Sequence, residues 1–386
     1  NDNPRYREKL LSTDVIVCDE AGLADLRTLH KLAGYCDAAG AKLILVGDGR
    51  QLEAVGSASS LDMLTEEVGC AEIVEIARQR DPADRAISQA WFEGPAEQGG
   101  SDALDMMKAR GLLKMPAQDI KEKPIDLLMR DALEARAGGT SWKEILLLAD
   151  RNQSVRSLNG KVREHRFEIG ELDKAQQVRI PVETGRGDYA DLDLAPGDRI
   201  MLRKNQKLGD EQVYNGDRAT LKSIDRVEVD TDDNGEPIYD TVLTAYLDRT
   251  KSEVSWKLSD YASIDHAYAM TVHKSQGLTV NRAFYLTSES TDRRLAYVAF
   301  TRSREAAGFY LNTEDLDTLA RNTEGFKSKR CALDADKEYR ELIRANARAG
   351  MYDEQPIKLQ IHTTKDLLEN AGERFECPAV SKAGSI

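Results

Sequence analysis

The segment VIVCDEAGLAD, Val15 to Asp25, sets two adjacent carboxylates, Asp19 and Glu20, directly behind a short apolar run. In phosphoryl transfer the first of such a pair can hold a magnesium ion, commonly through water, while the second orients and deprotonates the attacking water. Two acids at a strand end also occur as a solvated turn, so the pair alone leaves both readings open. A second apolar run, KLILV, leads into VGDGRQL, where Gln51 stands where its amide could meet a γ-phosphate or its water; an ordinary Gly-rich turn is the rival. IARQRDP offers Arg78 and Arg80, and AYVAFTRSRE offers Arg302, each read as following a strand. A guanidinium projecting into a cleft can stabilise charge developing on a transferred phosphoryl group, although surface salt bridging is the default for such residues. Thr271, His273, Lys274, Ser275 and Gln276 crowd into AMTVHKSQGLTV. Hydroxyl, imidazole and ammonium donors at that density suit phosphate oxygens, of a nucleotide or of a DNA backbone, while His273 could instead be a satisfied core residue.

These residues need elements to hold them. DVIVCDE, an amphipathic stretch with Leu26, Leu29, Ala33 and Cys36 on one face, and KLILV read as a buried strand, a helix and a second strand. Short apolar strands separated by helices imply a parallel sheet with its functional loops at the carboxyl ends of the strands. AEIVEIARQR is expected to be a strand and DRAISQAWFEG a helix; residues 94–140 read as mainly helical; EILLLADRN is a buried strand with the helix VRSLNGKVREHRFEIG behind it. From residue 178 the texture changes to short alternating runs punctuated by APGD, YNGD and DNGEP, with Asn215-Gly216 expected to turn a hairpin between EQVY and DRATLKSI. Residues 190–260 read as a small β-barrel inserted into an α/β domain, because helix and strand texture resumes at AYAMTVHKSQG, and residues 313–386 form a charged, mostly helical tail.

Composition bounds the answer. At 386 residues, 41% hydrophobic and 31% charged, the chain can bury more than one core. It has neither a membrane-length apolar run nor a signal layout, so a cytoplasmic location with no membrane segment is expected. The five cysteines are scattered singly, which argues against a zinc site or a disulfide framework. A net charge of −13 is a poor match to a nucleic-acid binder. It still permits a local groove, and the cation-rich runs RIMLRKNQK and Arg282 to Arg304 are compatible with a basic track on an acidic body.

In order and spacing, VIVCDEAG, KLILVGDGRQL, EIARQRD, YAMTVHKSQGLTV and RRLAYVAFTRSRE resemble motifs II to VI of superfamily 1 DNA helicases of the RecD-like branch. Within it they look most like the helicase region of conjugative relaxases of the TraA and TrwC kind, and the likeness covers about residues 12–312. The resemblance implies two RecA-like α/β domains, the first one incomplete, with an SH3-like β-barrel in the second. Their parts would be residues 1–93, 94–189 and 261–312, with the barrel at 190–260 and the tail at 313–386. It implies ATP and Mg2+ as cofactors and 5′-to-3′ movement on single-stranded DNA in conjugative transfer. Carried over residue by residue, it implies that Asp19 serves magnesium, Glu20 activates water and Gln51 senses the γ-phosphate. Arg78 and Arg302 would contact that phosphate, Arg302 as an arginine finger. Thr271, His273 and Lys274 would lie by the DNA backbone, Gln276 and Gly277 would link DNA to the nucleotide cleft, and Asn152 would touch single-stranded DNA.

One expected part is missing. No G-x-x-x-x-G-K-[ST] occurs, and the Gly160-Lys161 pair has Val155 where the first glycine belongs. The Tyr and His cluster of a relaxase is absent too. The expectation is therefore a chain completed by the N-terminal remainder of the same protein, carrying the phosphate loop and a relaxase domain, and acting with the conjugation machinery. A lone RecD-like repair helicase and a non-hydrolysing remnant that binds DNA or protein are the alternatives.

Overall fold

The computed structural model describes residues 10–52, 61, 64–65, 68–73, 76, 78–93, 99–117, 121–184, 187–231 and 236–325. Strands β1 (Val15–Cys18) and β2 (Lys42–Leu45) pair in parallel, Val15 beside Lys42 through Cys18 beside Leu45. Helix α1 (Leu26–Ala39) joins them. Asp25 starts it by accepting the Thr28 N–H at 2.7 Å, and Gly40 ends it at φ 68°. Leu29 and Cys36 are its buried residues. The expectation of a buried first strand is corrected. Val15 and Val17 are 53% and 58% exposed while Ile16 and Cys18 are half-buried, the alternation of a sheet covered on one face.

The main sheet is parallel throughout, in the order β14 (Ala269–Thr271), β4 (Ile145–Ala149), β15 (Val280–Leu286), β16 (Ser303–Tyr310), β3 (Leu113–Lys114). Every residue of β4, ILLLA, is buried, because a central parallel strand is covered on both faces. Its side chains alternate between two cores. Leu146 and Leu148 join Ile87, Trp91, Met107, Phe300 and Phe309 on one face; Ile145 and Leu147 join Leu128, Ala132, Leu158 and Val162 on the other. Helices α2 (Pro82–Glu93), α3 (Gly99–Ala109), α6 (Arg293–Phe300) and α7 (Leu316–Thr323) supply the first face, and α4 (Pro124–Ala137) and α5 (Asn152–Glu168) the second. Leu52, just past β2, packs into the first core and ties the β1–β2 unit to this layer.

Two expectations about local structure change here. AYVAF is helix α6, and Arg302 follows a helix and precedes β16. In the expected strand at 71–80, residues 74, 75 and 77 lie outside the described residues, and the others carry no strand.

The inserted β region has its own core, with Ile180, Leu194, Ile200, Leu221, Leu243 and Trp256 among its members. Strands β12 (Glu253–Lys257), β11 (Pro237–Leu247), β10 (Arg218–Thr231), β7 (Arg199–Leu202) and β13 (Ile264–His266) form an antiparallel sheet in that order. Hairpins β5–β6 (Val178–Glu183, Tyr189–Leu194) and β8–β9 (Gln206–Leu208, Glu211–Val213) flank it. The strands thus run from Val178 to His266, wider than the expected 190–260. The Asn215-Gly216 turn exists, with Gly216 at φ 97° and the Asp217 N–H on Tyr214 O at 3.0 Å, but it does not make a hairpin. β9 pairs back to β8 and β10 goes on to β7 and β11, because the Gly216 N–H is taken by Leu202 O at 2.8 Å.

A buried polar cluster bolts this region to the α/β layer. Asp198, fully buried, accepts from Arg163 Nε of α5 at 3.1 Å and from the Tyr268 hydroxyl at 2.9 Å. Arg166 donates to Gly197 O at 3.0 Å and to the same Tyr268 hydroxyl.

Candidate active site and nucleic-acid face

The loops after β1 and β2 are locked together by backbone. The Ala21 N–H donates to Val46 O at 2.8 Å, and a Cβ on Gly47 would fall 2.9 Å from Leu61 Cδ2 and 3.2 Å from Ala21 N, so only glycine lets them close. Between them Glu20 sits in the left-handed region at φ 50°, ψ 41°. Asp19 is exposed, with Oδ1 accepting the Glu20 N–H at 2.9 Å. Burial raises the Glu20 carboxyl above the ordinary glutamate range, the neighbouring Asp19 raises it further, Arg302 opposes this, Asp48 adds to it and Arg78 again opposes it. The sequence-predicted Asp19, Glu20, Arg78 and Arg302 therefore share one electrostatic neighbourhood, with Asp48 inside it.

Arg302 is 1% exposed. Its Nε donates to Val298 O at 2.9 Å and its Nη2 to Thr301 Oγ1 at 3.1 Å, while Nη1 lies 3.5 and 3.4 Å from Ser275 O and Leu278 O. Among the described residues it makes no ion pair. Burial, then the nearby Arg78 charge, push its guanidinium down to about 10, with Glu20 as the main opposing influence. Arg78 donates to Thr301 O at 2.8 Å. Arg80 follows its rival reading, a surface ion pair to Glu305 at 2.7 Å.

Gln51 lies under α6. Its Nε2 donates to Asp48 Oδ2 at 3.2 Å, its Oε1 is buried without a partner, and its carbonyl accepts from Arg294 Nη1 at 2.9 Å. The Tyr297 hydroxyl donates to the same Asp48 Oδ2 at 3.0 Å. Sequence reasoning missed Asp48, Arg294 and Tyr297. Residues 294, 297 and 301 share one face of α6, a spacing that becomes meaningful only once the short apolar run AYVAF is known to be helical.

The expected DNA contacts gather at the opposite, carboxyl-end edge of the main sheet. Thr271 pairs with Ala149, the last residue of β4, three residues before Asn152, the exposed first residue of α5. His273 and Lys274 are exposed in a 3-10 turn, which removes the core reading of His273. Beneath them Asp150, another residue the sequence reading missed, accepts from the hydroxyls of Tyr285 at 2.5 Å, Ser288 at 2.7 Å and Thr291 at 2.7 Å, fixing the loops after β4 and β15. Gln276 and Gly277, the latter at φ 74°, lie between the Ser275 and Leu278 carbonyls that face Arg302. The expected basic track is narrower than RIMLRKNQK suggests. Arg199 is 3% exposed and paired to Asp248, and Arg293, Arg294 and Arg302 are buried as well; of the two runs Arg203, Lys204 and Lys207 stay on or near the surface with the half-buried Arg282 and Arg304, and Lys274 is exposed beside Thr271.

The residues fit a nucleotide with magnesium. No group of three or more His, Cys, Asp or Glu among the described residues could hold a metal, so Asp19 would be one ligand alongside phosphate oxygens and water, the usual habit of magnesium. The orphaned Gln51 Oε1 and the buried Arg302 without a counter-ion are what a missing water and phosphate would satisfy.

Residues 4–118 match the family described as AAA domain, and residues 266–310 match the UvrD-like helicase C-terminal domain. The conjugal transfer protein TraA of Rhizobium radiobacter is 29% identical over 372 residues, 94% of this chain and 31% of that protein. The probable conjugal transfer protein TraA of Sinorhizobium fredii is 30% identical over 358 residues, 90% of this chain and 29% of that one. The chain thus spans about a third of the length of the curated relatives it matches. The crystal structure of Pif1 helicase from Candida albicans aligns with a TM-score of 0.49 at 17% identity, over 86% of this chain and 77% of that one. No helix among the described residues is long and apolar enough to cross a membrane.

Proposed function

The chain belongs to the superfamily 1 helicases and is related to the TraA conjugal transfer proteins, and from that premise we propose that it is motor machinery of the RecD-like branch. Its reaction is ATP hydrolysis coupled to 5′-to-3′ movement along single-stranded DNA during conjugative transfer, in the cytoplasm. In this reading residues 1–93 belong to a first RecA-like domain whose phosphate-gripping loop comes from outside the 386 residues. Residues 94–189 and 261–312 form the second RecA-like domain, and the β region is an SH3-like barrel.

The observation that carries the proposal is the placement of Arg302, buried and without an ion pair among the described residues, in the same electrostatic neighbourhood as Glu20, Asp48 and Arg78. Bound ATP with magnesium would supply the phosphoryl group and the charge that activates it. Asp19 would hold the ion. Glu20, its carboxyl held above the ordinary glutamate range by burial and by Asp19, would accept a proton from water. Arg302 and Arg78 would face the charge that develops on the phosphoryl oxygens. Thr271, His273, Lys274 and Asn152 would meet the DNA backbone without reading sequence.

The test is DNA-stimulated ATP hydrolysis by the gene product that contains these residues. Arg302→Ala should reduce kcat by about a thousandfold while leaving single-stranded DNA binding within about twofold. Unchanged turnover would remove Arg302 from the site, and a parent protein with no DNA-stimulated hydrolysis would leave a non-hydrolysing binding module.

A further inference from the structure

Asp48 Oδ2 accepts two hydrogen bonds, from Gln51 Nε2 at 3.2 Å and from the Tyr297 hydroxyl at 3.0 Å, and Oδ1 accepts the Arg50 N–H at 2.8 Å. An ionised carboxylate has only acceptors to offer. It therefore dictates which end of the Gln51 amide faces it: the NH2 must turn toward Asp48, and the carbonyl oxygen is left pointing the other way, buried and without a partner. An amide presented by its oxygen can accept a hydrogen bond from water but cannot donate one to a phosphate oxygen.

Resting on the hydrolytic reading above, we propose that Tyr297 is a positioning residue for that reaction: with Asp48 it fixes the Gln51 amide so that Oε1 receives an O–H of the attacking water. Gln51 is thereby assigned to the nucleophile and not to the γ-phosphate. Tyr297 touches neither water nor phosphate and acts through two side chains. The Tyr297 ring is 8% exposed in helix α6, and Arg294, one turn earlier on the same helix, donates to the Gln51 carbonyl at 2.9 Å. One helix thus holds Gln51 by both main chain and side chain. The hydroxyl is a donor at every working pH, since burial first, and Asp48 second, raise its ionisation above the ordinary tyrosine range.

The experiment is steady-state hydrolysis by the DNA-bound gene product carrying Tyr297→Phe, which deletes one oxygen. We expect kcat to fall about tenfold with KM for ATP and affinity for DNA within twofold. In the double variant Tyr297→Phe with Gln51→Ala, kcat should be no lower than in Gln51→Ala alone, because the hydroxyl acts only through that amide. Should Tyr297→Phe fold poorly, Asp48→Asn is the second variant. Its amide can donate to Gln51 Oε1 and turn Gln51 round, so it should give the same loss in kcat at unchanged KM. Multiplicative losses in the double variant, an unchanged kcat in either single variant, or a raised KM in its place would overturn the assignment while leaving the hydrolytic reading intact. A parent protein that does not hydrolyse ATP would overturn both.

Discussion

At Glu20 the backbone occupies the left-handed region, at a cost of about 1 kcal/mol for a residue with a side chain, and the carboxyl sits above its ordinary range. Both follow from its place between two loops that the Ala21 to Val46 bond and Gly47 pull together. A base works deprotonated, so the acid limb of the hydrolysis profile should lie above the ordinary glutamate range and disappear in Glu20→Gln. Arg302 draws the carboxyl downward, so in Arg302→Ala the limb of the residual activity should move to higher pH; pH–rate profiles of the two proteins check this. Stability has the opposite sign. A raised folded-state value means the folded chain binds that proton more tightly than the unfolded one, so stability falls as pH rises through the window between the two values. Glu20→Gln should therefore raise Tm at neutral pH, with the gain vanishing in acid, and thermal melts at both ends of that window would show it. Asp19, Glu20, Gln51 and Arg302 were legible in the sequence because their chemistry is written in residue type and position along the chain. Tyr297 was not, because AYVAF is a short apolar run whose periodicity does not separate strand from helix.

Among the elements, the parallel strands β1, β2 and β4 and the helices α1, α2 and α5 follow from apolar runs and helical stripes that are local in sequence. The pairing of the inserted β region does not. Asn215-Gly216 has the residues of a hairpin turn, yet which strand β9 and β10 pair with depends on Leu202 and Leu208, residues other strands bring in. The same non-locality governs how that region is attached. Arg163 and Arg166, read only as part of a helix, project from α5 onto Asp198, Gly197 and Tyr268. Asp198→Ala would leave the Arg163 guanidinium buried without its carboxylate, while Arg166 keeps Glu171 at 2.8 Å. The substitution should destabilise the protein by about 3 kcal/mol, measured by urea unfolding, with Asp198→Asn costing less because its single amide oxygen can still accept from either the Ala195 N–H or the Tyr268 hydroxyl. A loss under about 0.5 kcal/mol would mean the cluster is solvated and does not hold the two parts together.

For the molecule as a whole, a net charge of −13 coexists with cations at Arg203, Lys204, Lys207 and Lys274, while Arg199, Arg293, Arg294 and Arg302 of the cation-rich runs are spent inside. Affinity for single-stranded DNA should fall with salt, log Kd rising by about 0.7 per phosphate neutralised. Lys274→Glu should reduce that slope by about one contact's worth, read by fluorescence anisotropy across a salt series; an unaltered slope would take Lys274 off the DNA path. The amine itself is held below the ordinary lysine range, by burial first and by Arg203 against the pull of Asp265, so the charge at that position weakens earlier on the alkaline side than that of an open lysine. The segment between β14 and β15 has a mechanical side. It starts at Thr271, level with Leu286, and ends at Val280, six positions back along β15, a span of about 20 Å at about 3.3 Å per residue. Residues 272–279 cover that span without the helix that usually bridges parallel strands, and three of them are coiled in a 3-10 turn. The same short connection carries the Ser275 and Leu278 carbonyls that lie 3.5 and 3.4 Å from Arg302 Nη1, one and four residues from Lys274, so a shift of the guanidinium against those carbonyls would reach the exposed amine through a few residues of backbone.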